Sequence, residues 1–384
     1  MFSDVIQFIR TLYPNDKSIP LHAPSFIGNE KKYVLDAIDS TFVSSVGTYV
    51  DQFESAFAKY VGADYAVAVV NGTAALHVSL LLCDVEQNDL VITQPLTFVA
   101  TGNAIKYCGA DPIFLDIDPN TLSLCPHALT NFLEKDTEVI NSHCIHKVSG
   151  RKIKACLPMH TFGHPAKIKQ IVSICETHHI SVVEDAAESL GSYYHNQHTG
   201  TFGKVGVFSF NGNKIMTTGG GGMIVTNDVE IATKAKHLTT TAKLPHQWAY
   251  IHDTVGYNYR LPNLNAALGL AQLEQLDAFL AAKRSLARQY KDYFKDQKKC
   301  HYLSEPEDAR SNFWLNTLLF EHKKDRDHFL HDLNHANIMV RPVWEPLCYL
   351  KPFVGCMTDN LTQLQSIYER LANIPSSYIH EPKS

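Results

Sequence analysis

Long hydrophobic runs, basic clusters and closely paired cysteines are all missing from this 384-residue chain. The longest apolar stretches, such as AVAVV and ALHVSLLL, are too short to span a bilayer. The opening MFSDVIQFIRTLY does not have the form of a cleavable signal, so a soluble, cytoplasmic protein is expected. Lys and Arg number 34 against 39 Asp and Glu, a net charge of -5 without a run of either sign, and no nucleic-acid partner is expected. The nine cysteines scatter from Cys83 to Cys356 with no CxxC spacing, which reads as reduced core residues rather than a disulfide framework. His143, Cys144 and His146 sit close together, but the surrounding EKDTEVINSHCIHKVSGRK reads as a polar loop without a second ligand pair, and no metal is expected. Internal repeats and low-complexity tracts are absent as well.

What is present is apolar residue content, 45% of the chain, enough for more core than one compact domain usually holds. The expected division is a large domain over 1–260 with its N-terminal segment, a long connecting helix over 261–299, and a small C-terminal α+β domain over 300–384. Residues 2–13 and 29–41 have helical spacing, separated by the extended, proline-containing IPLHAPSFIG. A loop follows at Ser44 to Gly47, then a helix with Val50, Phe53 and Phe57 on one face. Short β-branched runs then alternate with helices as far as GMIVT and a helix near 228–238, which predicts an α/β fold, a mostly parallel sheet covered on both faces. Ligands then belong at the carboxyl ends of the strands. Beyond Pro262 a long helical pattern leads out, followed by a strand at FWLNTLLF, a helix at DRDHFLHDLNHAN, a proline-rich turn at VRPVWEPL and a helix near 361–372.

Three strand ends carry chemistry. VGVFSFNGNKIMTTGGGG, residues 205–222, ends a strand in Ser209 and places Lys214 in a polar loop beside four glycines. VVEDAAES ends a strand in Asp185, and AVAVVNGTAAL puts Gly72 and Thr73 at a helix start. A lysine, an acid and an anion cradle are what pyridoxal phosphate (PLP) asks of a protein. Asp185 is placed to hold the ring nitrogen, or to cap the helix beginning AAESLG. Lys214 would form the resting Schiff base and carry the proton. Backbone N–H groups of Gly72 and Thr73, with the Ser209 hydroxyl, suit the phosphate. Phe98 in TQPLTFVAT reads equally as a ring-stacking residue and as core.

NGTAAL, PLTFVAT, HTFGHPA, VEDAAESLG, FSFNGNK, TTGGGGM and GYNYRLPNLNAALG, in this order, closely resemble the PLP-dependent nucleotide-sugar aminotransferases of the DegT/DnrJ family. The resemblance covers nearly the whole chain and implies a fold-type-I transferase acting as a homodimer with active sites at the subunit interface. It implies Lys214 as the cofactor-binding lysine, Asp185 as the ring-nitrogen partner, Phe98 as the stacking ring, and Gly72, Thr73 and Ser209 around the phosphate. Asn258 would reach the other subunit's cofactor. Glu188 stands where relatives commonly have Gln or His, and TTGGGG lacks the acidic residue many relatives carry within it.

The opening IPLHAPSFIGNEKKYV and TFVSSVGTYVDQFE look most like the LegC-type subgroup of legionaminic-acid and related pathways. That resemblance implies glutamate as amino donor and a nucleotide-linked 4-keto-6-deoxy-N-acetylhexosamine as acceptor, with Ser44, Val46, Gly47, His160, Glu188 and Arg341 as substrate contacts. The alternative is a PLP-dependent dehydratase or lyase on the same fold. Some relatives with dehydratase activity replace the lysine by histidine, so Lys214 favours transamination.

Overall fold

The computed structural model describes residues 2–44 and 47–378. Its largest feature is a ten-stranded sheet in the order 65–69, 222–226, 205–209, 181–185, 152–156, 90–93, 111–114 and 357–358, with a hairpin 137–140/143–146 attached to 152–156. Every pairing from 205–209 to 357–358 is parallel. The strand Gly222–Thr226 runs antiparallel to both its neighbours, so Tyr65–Val69 points the same way as the parallel set. All the turns leaving those strands therefore emerge on one edge, where an α/β sheet binds its ligands. Val, Ile and Leu fill these strands because both faces are covered: the nearly all-apolar helix Gly72–Leu82 is buried on almost every side.

The second unit is a four-stranded antiparallel sheet in the order 300–302, 316–320, 371–374, 341–342, packed with the helix Lys323–His335. The first helix, Ser3–Leu12, was expected with the large domain. Its buried face, Val5, Ile9 and Leu12, instead joins Tyr290, Phe294, Leu318, Phe320, Phe329 and Ile374 in the core of this smaller unit. Arg10 seals the contact with a 2.6 Å hydrogen bond to Ala336 O, and Ile19 bridges Ile338.

Three other expectations change. The long helix after Pro262 is two, Asn263–Leu273 and Leu276–Phe294. The chain tightens at the junction, where Gln275 N–H donates to Gln272 O, three residues back, at 3.1 Å. The polar stretch around His143 is a hairpin, with Cys144 buried in the core between outward neighbours. The helix near 361–372 stops at Ile367, and Leu371–Ile374 becomes a central strand paired with Asn316–Phe320 and Arg341–Pro342. A short apolar run of this kind has no strong local preference, and the tertiary pairing decides it.

Candidate active site

Register brings the first part of the site together. Gly222 lies opposite both Val69 and Ser209 in the ladder. The turn after Val69 therefore runs past Ser209, and a Cβ built on Gly72 would stand 2.9 Å from the Ser209 Cβ. Gly72 opens the helix Gly72–Leu82, and its cap Asn71 accepts Ala74 N–H at 2.8 Å. First-turn amides have no acceptor within their own helix, so Gly72 and Thr73 present N–H groups and a positive dipole end beside the Ser209 hydroxyl. Ser209 leaves no room for a side chain on Gly72, and Gly72, Thr73 and Ser209 all border the same cavity.

Lys214 stands on the loop Phe210–Gly221, whose base is closed by Phe210 N–H to Gly221 O at 2.8 Å and Thr218 N–H to Phe210 O at 3.0 Å. Gly219 takes φ +80 in that loop, a left-handed conformation that suits glycine. The ammonium reaches Glu188 Oε1 at 3.1 Å and lies 4.1 Å from the centroid of the Trp314 ring. Trp314 comes from the segment before the strand Asn316–Phe320 and donates Nε1–H to Asn213 O at 2.7 Å.

Asp185, at the end of Ser181–Asp185, is 3% exposed. It accepts Thr101 Oγ1–H at 2.8 Å and Ala187 N–H at 3.2 Å. Burial pushes its carboxyl above the ordinary aspartate range, opposed by the Thr101 hydrogen bond, the Ala187 amide, Lys214 and His160. Glu188 is pushed up to about 7, again by burial, against the pull of Lys214 and of the Phe162 N–H that its second oxygen accepts at 3.0 Å.

Lys214, Asp185, Glu188, Gly72, Thr73, Ser209 and Phe98 all line one cavity of about 330 Å³. Phe98 is 49% exposed, its ring 6.3 Å from that of Trp344, so it borders the cavity instead of filling the core. Five proposed residues lie elsewhere among the described residues. His160 is fully buried, its Nδ1 accepting Ala166 N–H and its Nε2 bonded to Glu184 Oε2, each at 3.0 Å. Arg341 is exposed on the edge of the small sheet, and Asn258 is exposed beside Arg260, outside the cavity of its own chain. Gly47 is packed against Asn263, whose amide spans the early loop by donating to Phe42 O and accepting Tyr49 N–H. Ser44 O accepts Asn263 N–H in the same tie, and Val46 lies outside the described residues. Sequence reasoning missed Trp314, Trp344, Thr101 and Asn263. FWLNTLLF and VRPVWEPL each showed a tryptophan, but nothing local shows that small-unit loops fold back over Lys214.

The residues fit PLP: first-turn amides and a hydroxyl for the phosphate, a buried carboxylate for the ring nitrogen, a lysine on the same cavity and a bordering aromatic ring. The model for the DegT/DnrJ/EryC1/StrS aminotransferase family matches residues 24–380. The chain belongs to this family. Members use PLP, and the fold is that of a fold-type-I PLP-dependent aminotransferase. Over 331 residues, 86% of each chain, it is 39% identical to a GDP-perosamine synthase of Escherichia coli O157:H7. Over 363 residues, 93% of each, it is 36% identical to a GDP-perosamine synthase of Caulobacter vibrioides. Helicobacter pylori PseC, an aminotransferase involved in the biosynthesis of pseudoaminic acid, superposes with a TM-score of 0.84 at 25% identity, over 93% of both chains. This DegT-family chain is a PLP-dependent nucleotide-sugar aminotransferase. Among the described residues, no helix is long and apolar enough to cross a membrane.

Proposed function

We propose that this DegT-family enzyme transfers an amino group from glutamate to the 4-keto carbon of a nucleotide-linked 4-keto-6-deoxy sugar, giving a 4-amino sugar for a surface glycan. The observation that carries the reading is the meeting of Lys214, Asp185 and the Gly72–Thr73–Ser209 cradle on one cavity. Bound PLP supplies an electron sink for a carbanion next to nitrogen. Asp185 would hold its ionised carboxylate against the ring nitrogen, the phosphate would sit on the first-turn amides, and Lys214 Nζ would carry the proton to and from the sugar carbon. Glu188 would hold Lys214 while its amine is free, and the aromatic faces of Phe98, Trp314 and Trp344 would keep water from the reacting carbon.

The N-terminal motifs favour an N-acetylated sugar of the legionaminic-acid type, with Ser44, Val46, Gly47 and Arg341 as contacts. A second reading, a GDP-linked sugar leading to perosamine, is favoured by the names of the relatives at 39% and 36% identity. In either case we place the enzyme in the cytoplasm as a homodimer, with the exposed Asn258 serving the other subunit's cofactor. Incubating the purified protein with PLP, ¹⁵N-glutamate and nucleotide-linked keto sugars, with mass readout, tests this. Label in the sugar supports amination, and the sugar that takes it chooses between the two readings. Loss of water from the sugar with no label in it sinks the transaminase and favours the dehydratase.

A further inference from the structure

Behind Asp185 runs a row of two hydroxyls that the catalytic scheme has not used. Thr97 Oγ1 and Thr101 Oγ1 are 2.8 Å apart, Thr101 Oγ1 donates to Asp185 Oδ2 at 2.8 Å, and Met159 Sδ lies 2.8 Å from the Thr97 oxygen. Both threonines are wholly buried. An ionised carboxylate only accepts, so the single Thr101 proton is committed to Asp185 and Thr97 is the donor in the threonine pair. A threonine inside a helix usually bonds a carbonyl of the preceding turn. Thr101, in the helix Val99–Tyr107, instead bonds a residue 84 positions away.

We propose that Thr101 is a positioning residue for the cofactor: its hydroxyl holds Asp185 ionised and turned toward the cavity, ready for the protonated ring nitrogen. The proposal rests on the assignment of Asp185 to that nitrogen. The charged and titratable groups facing Asp185 are Lys214 on the loop after Val205–Ser209, Glu188 on its own loop, and His160 after Lys152–Cys156. His160 spends its Nε2 on Glu184 and Lys214 is drawn to Glu188, which leaves Thr101 and the Ala187 amide as the direct donors to Asp185 among the described residues. Burial already favours the protonated acid, and a protonated Asp185 offers no negative charge to the ring.

The test is equilibrium binding of PLP across pH, read by the visible band and by quenching of Trp314 and Trp344. Thr101→Val removes the hydroxyl at nearly constant shape. It is expected to weaken binding at neutral pH by roughly tenfold or more, as befits a lost hydrogen bond to a charged group, and to move the acid limb up by about one pH unit. Thr101→Ser restores the wild-type curve. Thr101→Ala repeats the loss should the valine variant fold poorly. Wild-type affinity and an unmoved acid limb in either hydroxyl-free variant, with Asp185→Asn impaired, overturn the role of Thr101 alone. Wild-type binding by Asp185→Asn overturns the assignment of Asp185, and this proposal with it.

Discussion

Lys214 Nζ lies 4.1 Å from the centroid of the Trp314 ring, and the same indole donates its N–H to Asn213, the residue before the lysine. One side chain from the smaller unit thus fixes both the backbone and the charge of the loop that carries Lys214. Trp314→Ala is expected to lower kcat/KM by about tenfold, given a partly desolvated cation–π contact and one hydrogen bond. Trp314→Phe keeps the ring and should lose less. Steady-state kinetics with saturating PLP check the order of the two variants.

Gly72→Ala should separate phosphate binding from stability. The added methyl meets Ser209 Cβ at 2.9 Å and intrudes on the anion cradle, while alanine is a better helix residue than glycine. Affinity for PLP is expected to fall by about tenfold, whereas affinity for pyridoxal, which lacks the phosphate, changes little. Comparing the two ligands by absorbance titration decides it.

Glu188 carries a pH signature. Its carboxyl is pushed up to about 7 in the folded chain, against about 4.3 in the unfolded chain. Between those values the folded state holds the extra proton, so this group makes stability fall as pH rises through that window. Glu188→Gln cannot titrate, and the gap in unfolding midpoint between variant and wild type should move in the variant's favour from pH 5 to pH 7.5. Denaturant melts of the cofactor-free protein at both values provide the check.

Lys283 acts in the opposite range. Fully buried, its amine donates to Trp314 O at 3.1 Å and Ser376 O at 2.5 Å, and burial depresses it to about 7. The unfolded lysine titrates near about 10.4, so between these values the unfolded state binds more protons and stability from this group rises with pH. Wild type should gain on Lys283→Met between pH 7 and pH 9.5, and parallel melts at the two values would contradict this.

Much of the site was legible because its chemistry sits at strand ends. Asp185, Ser209 and Gly72 each follow an apolar β-branched run, and a parallel sheet delivers such ends to one edge whatever the details of the helices. Substrate contacts were less legible. His160 looked available in MHTFG, but its ring is consumed by Glu184, which also accepts the amides of Gly200, Phe202 and Gly203 at distances of 2.8, 2.6 and 2.7 Å. That partnership spans distant segments and has no local signal. The same holds for Leu371–Ile374, whose strand identity depends on neighbours some fifty residues away.

The docking of Ser3–Leu12 into the smaller unit has a cost during synthesis. The helix leaves the ribosome well before its partners Leu318, Phe329 and Ile374. At about 5–20 residues per second, the apolar stripe of that helix waits on the order of tens of seconds before its site exists. Newly made chains are therefore exposed to chaperone capture or clumping through this helix until the strands of the smaller unit are made.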